Sequence, residues 1–128
     1  MKEEGVVRLR IAWKSGQVTA TLKDTPTTRN LKAVLPFEAT ANRWGKEIYF
    51  EAPLHADLEA DAEQVVEPGT VCFWVEGSSL AIPFGPTPVS RGYECRLVTR
   101  VNVLGSVEGD ASILESVRDG TSIRVEKP

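Results

Sequence analysis

The chain is poor in the residues on which most small-protein chemistry depends. Among 128 residues there are two cysteines and a single histidine. Cys72 and Cys95 are far apart in sequence and form no Cys-x-x-Cys pair, so they read as two reduced thiols and not as a staple or redox couple. With His55 they make a scattered set of zinc ligands without a pairing motif, and His55 reads as a surface residue. No Gly-rich phosphate loop is present, and Ser78, Ser79 and Ser90 sit in no nucleophile elbow. Lys and Arg never cluster and the net charge is −3, which argues against a surface built for phosphate backbones or anionic lipid. No apolar stretch is long enough to span a bilayer, and Met1-Lys2-Glu3-Glu4-Gly5 carries acid where a secretory signal needs an apolar segment. These absences remove nucleic acid and membrane from the expected partners. They give no reason to expect a metal or cofactor, and they make the cytoplasm the expected compartment.

What is present suits one globular domain over residues 1–128. The content is 41% hydrophobic and 26% charged, and the length allows a core without staples. Val6 to Trp13 alternates apolar and polar residues towards its end, and Val18 to Leu22 alternates again across the turn Lys14-Ser15-Gly16-Gln17, so the first two strands form a hairpin. The period then changes. Thr25 suits an N-cap and Pro26 the first helical position, where its missing N–H costs nothing. Leu31, Val34 and Leu35 make one apolar stripe and Pro36 stops the helix, which therefore lies across a barrel end or sheet.

Phe37 to Ala41 and Glu47 to Phe50 read as strands around a turn at Trp44-Gly45-Lys46. From Asp57 to Glu67 the acids Asp57, Glu59, Asp61 and Glu63 alternate with apolar residues, without the glycine or asparagine of a calcium loop, so the stretch reads as a solvated acidic loop. Pro68-Gly69 turns into a strand from Thr70 to Val75. Another strand runs from Leu80 to Phe84, where Pro83 suggests an edge or a bulge. A long loop, Gly85 to Gly92, precedes a strand from Cys95 to Leu104. Asp110 caps a two-turn helix carrying Ile113, Leu114 and Val117, Gly120 stops it, and Thr121 to Val125 is the last strand. About eight short strands with two short helices predict a mainly β chain closed into a barrel, with a helix for each open end.

The order strand, strand, helix, several strands, Gly-x-Val-x-Gly turn, helix, strand resembles the cyclophilin fold. Gly105-Ser106-Val107-Glu108-Gly109 is similar to the turn before the C-terminal cyclophilin helix, and Asp24-Thr25-Pro26-Thr27-Thr28-Arg29-Asn30 to the start of its first helix. Leu35-Pro36-Phe37, Glu47-Ile48-Tyr49-Phe50, Pro68-Gly69-Thr70 and Phe84-Gly85-Pro86-Thr87-Pro88 resemble the compact prokaryotic cyclophilin-like family, whose members are largely without an assigned activity. The resemblance spans nearly the whole chain and implies a cyclophilin-like barrel.

Prolyl isomerisation needs an apolar pocket for the ring and a donor aimed at the prolyl nitrogen, which becomes basic only in the transition state. Cyclophilins supply that donor as an Arg in a Phe-His-Arg strand, followed by Gln-Gly-Gly. Here the matching segment is Ile48-Tyr49-Phe50-Glu51-Ala52-Pro53: it has no Arg, Glu51 puts the opposite charge there, and the acidic loop replaces Gln-Gly-Gly. The pocket transfers better than the chemistry. By resemblance, Phe50, Trp74 and Phe84 border the groove with Ile82 beside them and Glu51 near by. The pleat forces Phe73 and Trp74, and Tyr49 and Phe50, to opposite faces, and sequence alone leaves open which of each pair faces the groove. The leading expectation is a barrel that binds a peptide or small apolar ligand without efficient isomerase activity. The alternatives are an isomerase with a relocated donor, Arg96 or Arg100, a small-molecule enzyme with Glu51 as general base, and a structural or oligomerising barrel using the Gly85 to Gly92 loop and an edge strand at Pro83. The ligand and the oligomeric state stay open.

Overall fold

A computed structural model describes residues 6–128; the acidic segment Met1 to Gly5 lies outside the described residues. Ten strands form one antiparallel sheet: β1 (Val6–Trp13), β2 (Gly16–Lys23), β3 (Phe37–Thr40), β4 (Asn42–Arg43), β5 (Glu47–Glu51), β6 (Glu63–Val66), β7 (Thr70–Trp74), β8 (Ser79–Pro83), β9 (Cys95–Val107) and β10 (Ser122–Glu126). The path through the sheet is β3-β10-β1-β2-β9-β7-β8-β5-β4, with β6 pairing β9 off that path. The two ends of the path, β3 and β4, are consecutive in sequence with only Ala41 between them, so the sheet curls into a nearly closed barrel whose seam is the chain itself. No helix among the described residues is long and apolar enough to cross a membrane.

The first half follows the sequence pattern closely. β1 and β2 pair from Val6↔Lys23 to Trp13↔Gly16, and Leu9, Ile11, Ala20 and Leu22 on their inner faces are buried. Helix α1 (Pro26–Ala33) is capped by Thr25, whose hydroxyl accepts from the Thr28 N–H, and it buries Leu31 against the barrel. At the other end of the chain the segment Ala111–Ser116 is a 3₁₀ helix capped by Asp110, with Leu114 buried.

Three local expectations are corrected. The acidic stretch holds a strand: β6 pairs the first half of β9 through Val65↔Arg96 and Val66↔Cys95, because Val65 and Val66 offer β-branched residues that a solvated loop would not use. Glycines 105 and 109 do not bracket one turn. β9 continues through Val107, and Gly105 is needed inside it because a Cβ there would stand 2.0 Å from the Thr21 carbonyl oxygen of β2. Pro83 sits in an interior strand, not at an edge. It ends β8 opposite Glu47, and the neighbouring bond runs from Phe84 N–H to Lys46 C=O at 2.8 Å. Pro83 and Glu47 are thus a non-hydrogen-bonded pair, and the missing proline N–H costs that ladder nothing.

β9 is long enough to do two jobs. From Asn102 onward it is a barrel strand between β7 and β2, with a register shift opposite Val71 and Cys72. Before that it pairs only with β6. The β6–β9 ribbon therefore leaves the barrel wall and covers part of its outer surface. Asn102, wholly buried at the branch, fastens this region: its amide donates to the Thr27 hydroxyl and the Asp57 carbonyl, both at 2.9 Å, and accepts from the Glu59 N–H at 2.7 Å.

Candidate functional site

The pleat of β5, β7 and β8 gives two apolar layers. Inward go Ile48 and Phe50, Val71 and Phe73, Leu80 and Ile82, all wholly buried in the main core. Outward go Tyr49, Cys72, Trp74 and Ala81, which meet Leu97 and Val101 of the β9 ribbon in a second, smaller cluster. Registers fix this layer: Tyr49 and Cys72 both lie opposite Ala81, and the small Ala81 side chain leaves room between them.

That room is a cavity of about 200 Å³ lined by Trp44, Glu47, Tyr49, Trp74, Ala81, Leu97, Val98 and Val101. Trp44 comes from the turn between β4 and β5, where Gly45 takes a positive φ of 62° with Pro86 and Thr87 packed behind it. Tyr49 meets Trp74 edge to face, with ring centroids 6.0 Å apart. Trp74 is seated by Gly77: a Cβ there would come within 2.2 Å of the indole.

Two polar atoms in this wall are buried without a hydrogen-bond partner, Glu47 Oε1 and Trp74 Nε1. Glu47 is only 5% exposed. Burial pushes its carboxyl from 4.5 up to about 8, since the charged form loses hydration and no partner replaces it. The same surroundings push the Cys72 thiol up, through burial first and then through Glu47, Cys95 and Glu63. Cys95 is raised by burial and by Glu67 and Glu47. Both thiols are free and buried, which suits inert packing and not a nucleophile. A carboxyl that exchanges its proton near neutral pH can donate a hydrogen bond when protonated, and can act as a base or counter-ion when not.

Of the residues expected to border the groove, Trp74 lines this cavity. Phe50 and Ile82 lie inside the barrel, turned there by the pleat, and Tyr49 is the member of its pair on the outer face. Phe84 is half-buried beneath Arg43, whose guanidinium carbon stands 5.1 Å from the ring centroid. Glu51 is exposed at the end of β5. Glu47, four residues earlier on the same outward face, is the carboxylate that burial singles out, and its period-two spacing with Tyr49 was the available signal. Arg96 pairs with Glu94 at 2.7 Å and Arg100 donates to the Ala62 carbonyl at 3.2 Å; neither lines the cavity. His55 is exposed, its ring nitrogen 3.5 Å from the Ser78 hydroxyl. Among the described residues no group of three or more His, Cys, Asp or Glu converges as metal ligands would.

The architecture is a nearly closed antiparallel barrel with two short helices. The chain belongs to the cyclophilin-like family, whose model matches residues 7–126. It is also similar to a hypothetical protein from Archaeoglobus fulgidus whose structure was determined in solution, at 36% identity and a TM-score of 0.84 over 100% of both chains. No curated protein matches the chain.

Proposed function

We propose that this protein binds a small, largely apolar ligand, or one apolar side chain of a peptide, in the outer cavity between β5, β7, β8 and the β9 ribbon. The observation that carries the reading is one recess lined by three aromatic residues and Glu47, where Glu47 Oε1 and Trp74 Nε1 are buried without partners. Buried polar groups are nearly always satisfied, so an orphan pair on a cavity wall is best explained by an occupant that satisfies them. At about 200 Å³ the cavity is smaller than the roughly 300–1,000 Å³ of sites for drug-sized molecules, and it suits a single ring or branched aliphatic group.

Prolyl isomerisation is the weaker reading. The step needs a fixed cationic or strong neutral donor over the prolyl nitrogen. Arg96 and Arg100 are committed to Glu94 and Ala62, and the cavity wall carries no cation among its lining residues. The test is a titration of ¹⁵N-labelled protein with benzyl alcohol and, separately, with a short Ala-Pro peptide whose cis/trans exchange is followed. The expected result is shifts at Tyr49, Trp74, Val98 and Val101 and no acceleration of exchange. Accelerated exchange abolished by Arg96→Ala or Arg100→Ala would replace this reading with the isomerase one, and absence of any shift at those residues with either probe would end the cavity reading.

A further inference from the structure

We infer that the occupant of the outer cavity is a small apolar amine held as its cation, with Glu47 as counter-ion and Trp44, Tyr49 and Trp74 as an aromatic enclosure. The inference rests on the cavity reading above and adds the ligand's chemical class. Three features of the wall converge on it. Aromatic faces attract a desolvated cation, and three aromatic residues contribute to this one recess. Glu47, almost wholly buried, supplies negative charge with an unpartnered oxygen. No lysine, arginine or histidine lines the recess to compete for that oxygen.

The surroundings reinforce the sign of charge selected. Glu47 acts on the thiols of Cys72 of β7 and Cys95 of β9, and Glu63 of β6 and Glu67 act on those same thiols; each of these groups is neutral or negative. The two cations nearest in sequence are committed elsewhere, since Arg43 and Lys46 both pair with Glu115. An anionic ligand would find no cation in the wall to compensate its charge. A neutral apolar ligand would fill the space without bringing a charge to the carboxyl. An ammonium group brings the missing partner, and the charge that costs most in the empty cavity becomes the anchor in the filled one. Binding then couples to a proton: the empty cavity keeps Glu47 protonated below about pH 8, and the amine drives that proton off to solvent.

The experiment compares benzylamine, a cation at the pH values used, with its neutral near-isostere benzyl alcohol, by ¹⁵N shifts of the wild-type protein at about pH 8.5 and about pH 6.5. Expected at the higher pH is at least about tenfold tighter binding of benzylamine, with shifts at Tyr49, Trp74 and Val98. Lowering the pH should weaken benzylamine by roughly twentyfold, following the ionised fraction of Glu47, and change benzyl alcohol by less than about twofold. Glu47→Gln, the isostere of the protonated acid, should remove the preference for the amine, so that benzylamine binds no more tightly than benzyl alcohol at either pH. Equal binding of both probes at both pH values would overturn the amine inference and leave the cavity reading standing. Failure of both probes to shift the cavity residues would overturn both. The wild-type pH comparison needs no variant, so a Glu47→Gln chain that failed to fold would not shield the inference.

Discussion

The same three strands, β5, β7 and β8, present two apolar faces that differ in kind. The inner face is Ile48, Phe50, Val71, Phe73, Leu80 and Ile82, each wholly buried and each surrounded by other apolar groups. The outer face is Tyr49, Cys72, Trp74 and Ala81, covered by the β6–β9 ribbon, with a cavity that Tyr49, Trp74 and Ala81 line together with the buried Glu47. Inside, the side chains are wholly buried among apolar groups and serve stability. Outside, packing is interrupted and a polar group is left unsatisfied, a condition that costs folding energy and that folded chains tolerate chiefly where a site is made. Burial alone therefore does not mark a functional residue here. Phe50 is more buried than Trp74, and it is Trp74 that faces the recess.

The sharpest way to break the contrast is to truncate each face. Phe50→Ala should cost about 3–5 kcal/mol by denaturant unfolding, as emptying a closed core does. Trp74→Ala should cost markedly less stability while removing binding of cavity probes, because it opens a wall already facing a void. Equal losses of stability in the two variants would show that the outer layer is ordinary core.

Next in size is the pH dependence of stability that Glu47 creates. Its folded value of about 8 lies above the ordinary 4.5, so the folded state holds a proton that the unfolded chain gives up between these limits. That contribution is whole below about pH 4.5 and is lost as pH rises toward 8, at most about 1.4 kcal/mol per pH unit. Wild-type protein should therefore lose a few kcal/mol relative to Glu47→Gln between about pH 5 and 8; parallel stability curves for the two would show that the carboxyl is solvated or paired in solution. The surface carboxylates behave oppositely. Glu108, lowered by Arg8 and Thr21, and Glu126, lowered by Arg124 and Arg10, favour folding above their ordinary range and lose that effect as pH falls.

A smaller effect is expected at the seat of Trp74. Gly77→Ala places a methyl where the indole now lies, so the ring must move, costing about 1–3 kcal/mol and shifting indole fluorescence together with probe affinity. Unchanged fluorescence and affinity would mean that the turn yields and the ring does not. The smallest change belongs to Glu51→Ala. It is exposed at the strand end, so stability should move by no more than about 0.5 kcal/mol and probe binding not at all. A loss of binding there would restore the groove to the position that family resemblance suggests.

Much of this protein was legible without coordinates. The alternation in Val6 to Trp13 and Val18 to Leu22, the Thr25-Pro26 cap and the Asp110 cap are local signals, set by backbone geometry within a few residues, and the sequence of elements was enough to suggest the family. The apolar pairs Tyr49/Phe50 and Phe73/Trp74 were legible only as pairs: a period of two says that their members part company, not which way each goes. That choice depends on which face of the sheet the barrel closes around. The strand hidden in Glu63 to Val66 was masked by its acidic neighbours, because its partner lies some 30 residues on in the first half of β9. The burial of Glu47 likewise belongs to no local pattern. It needs Ala81 opposite Tyr49, the β9 ribbon folded back over the outer wall, and Trp44 delivered by a turn. Sequence by itself determined most of the elements, their caps and the class of barrel, since those follow from short-range periodicity and the order of elements. Only the tertiary structure decided where the barrel leaves a hole and which carboxyl it strands there, since desolvation is the joint act of residues distant in the chain.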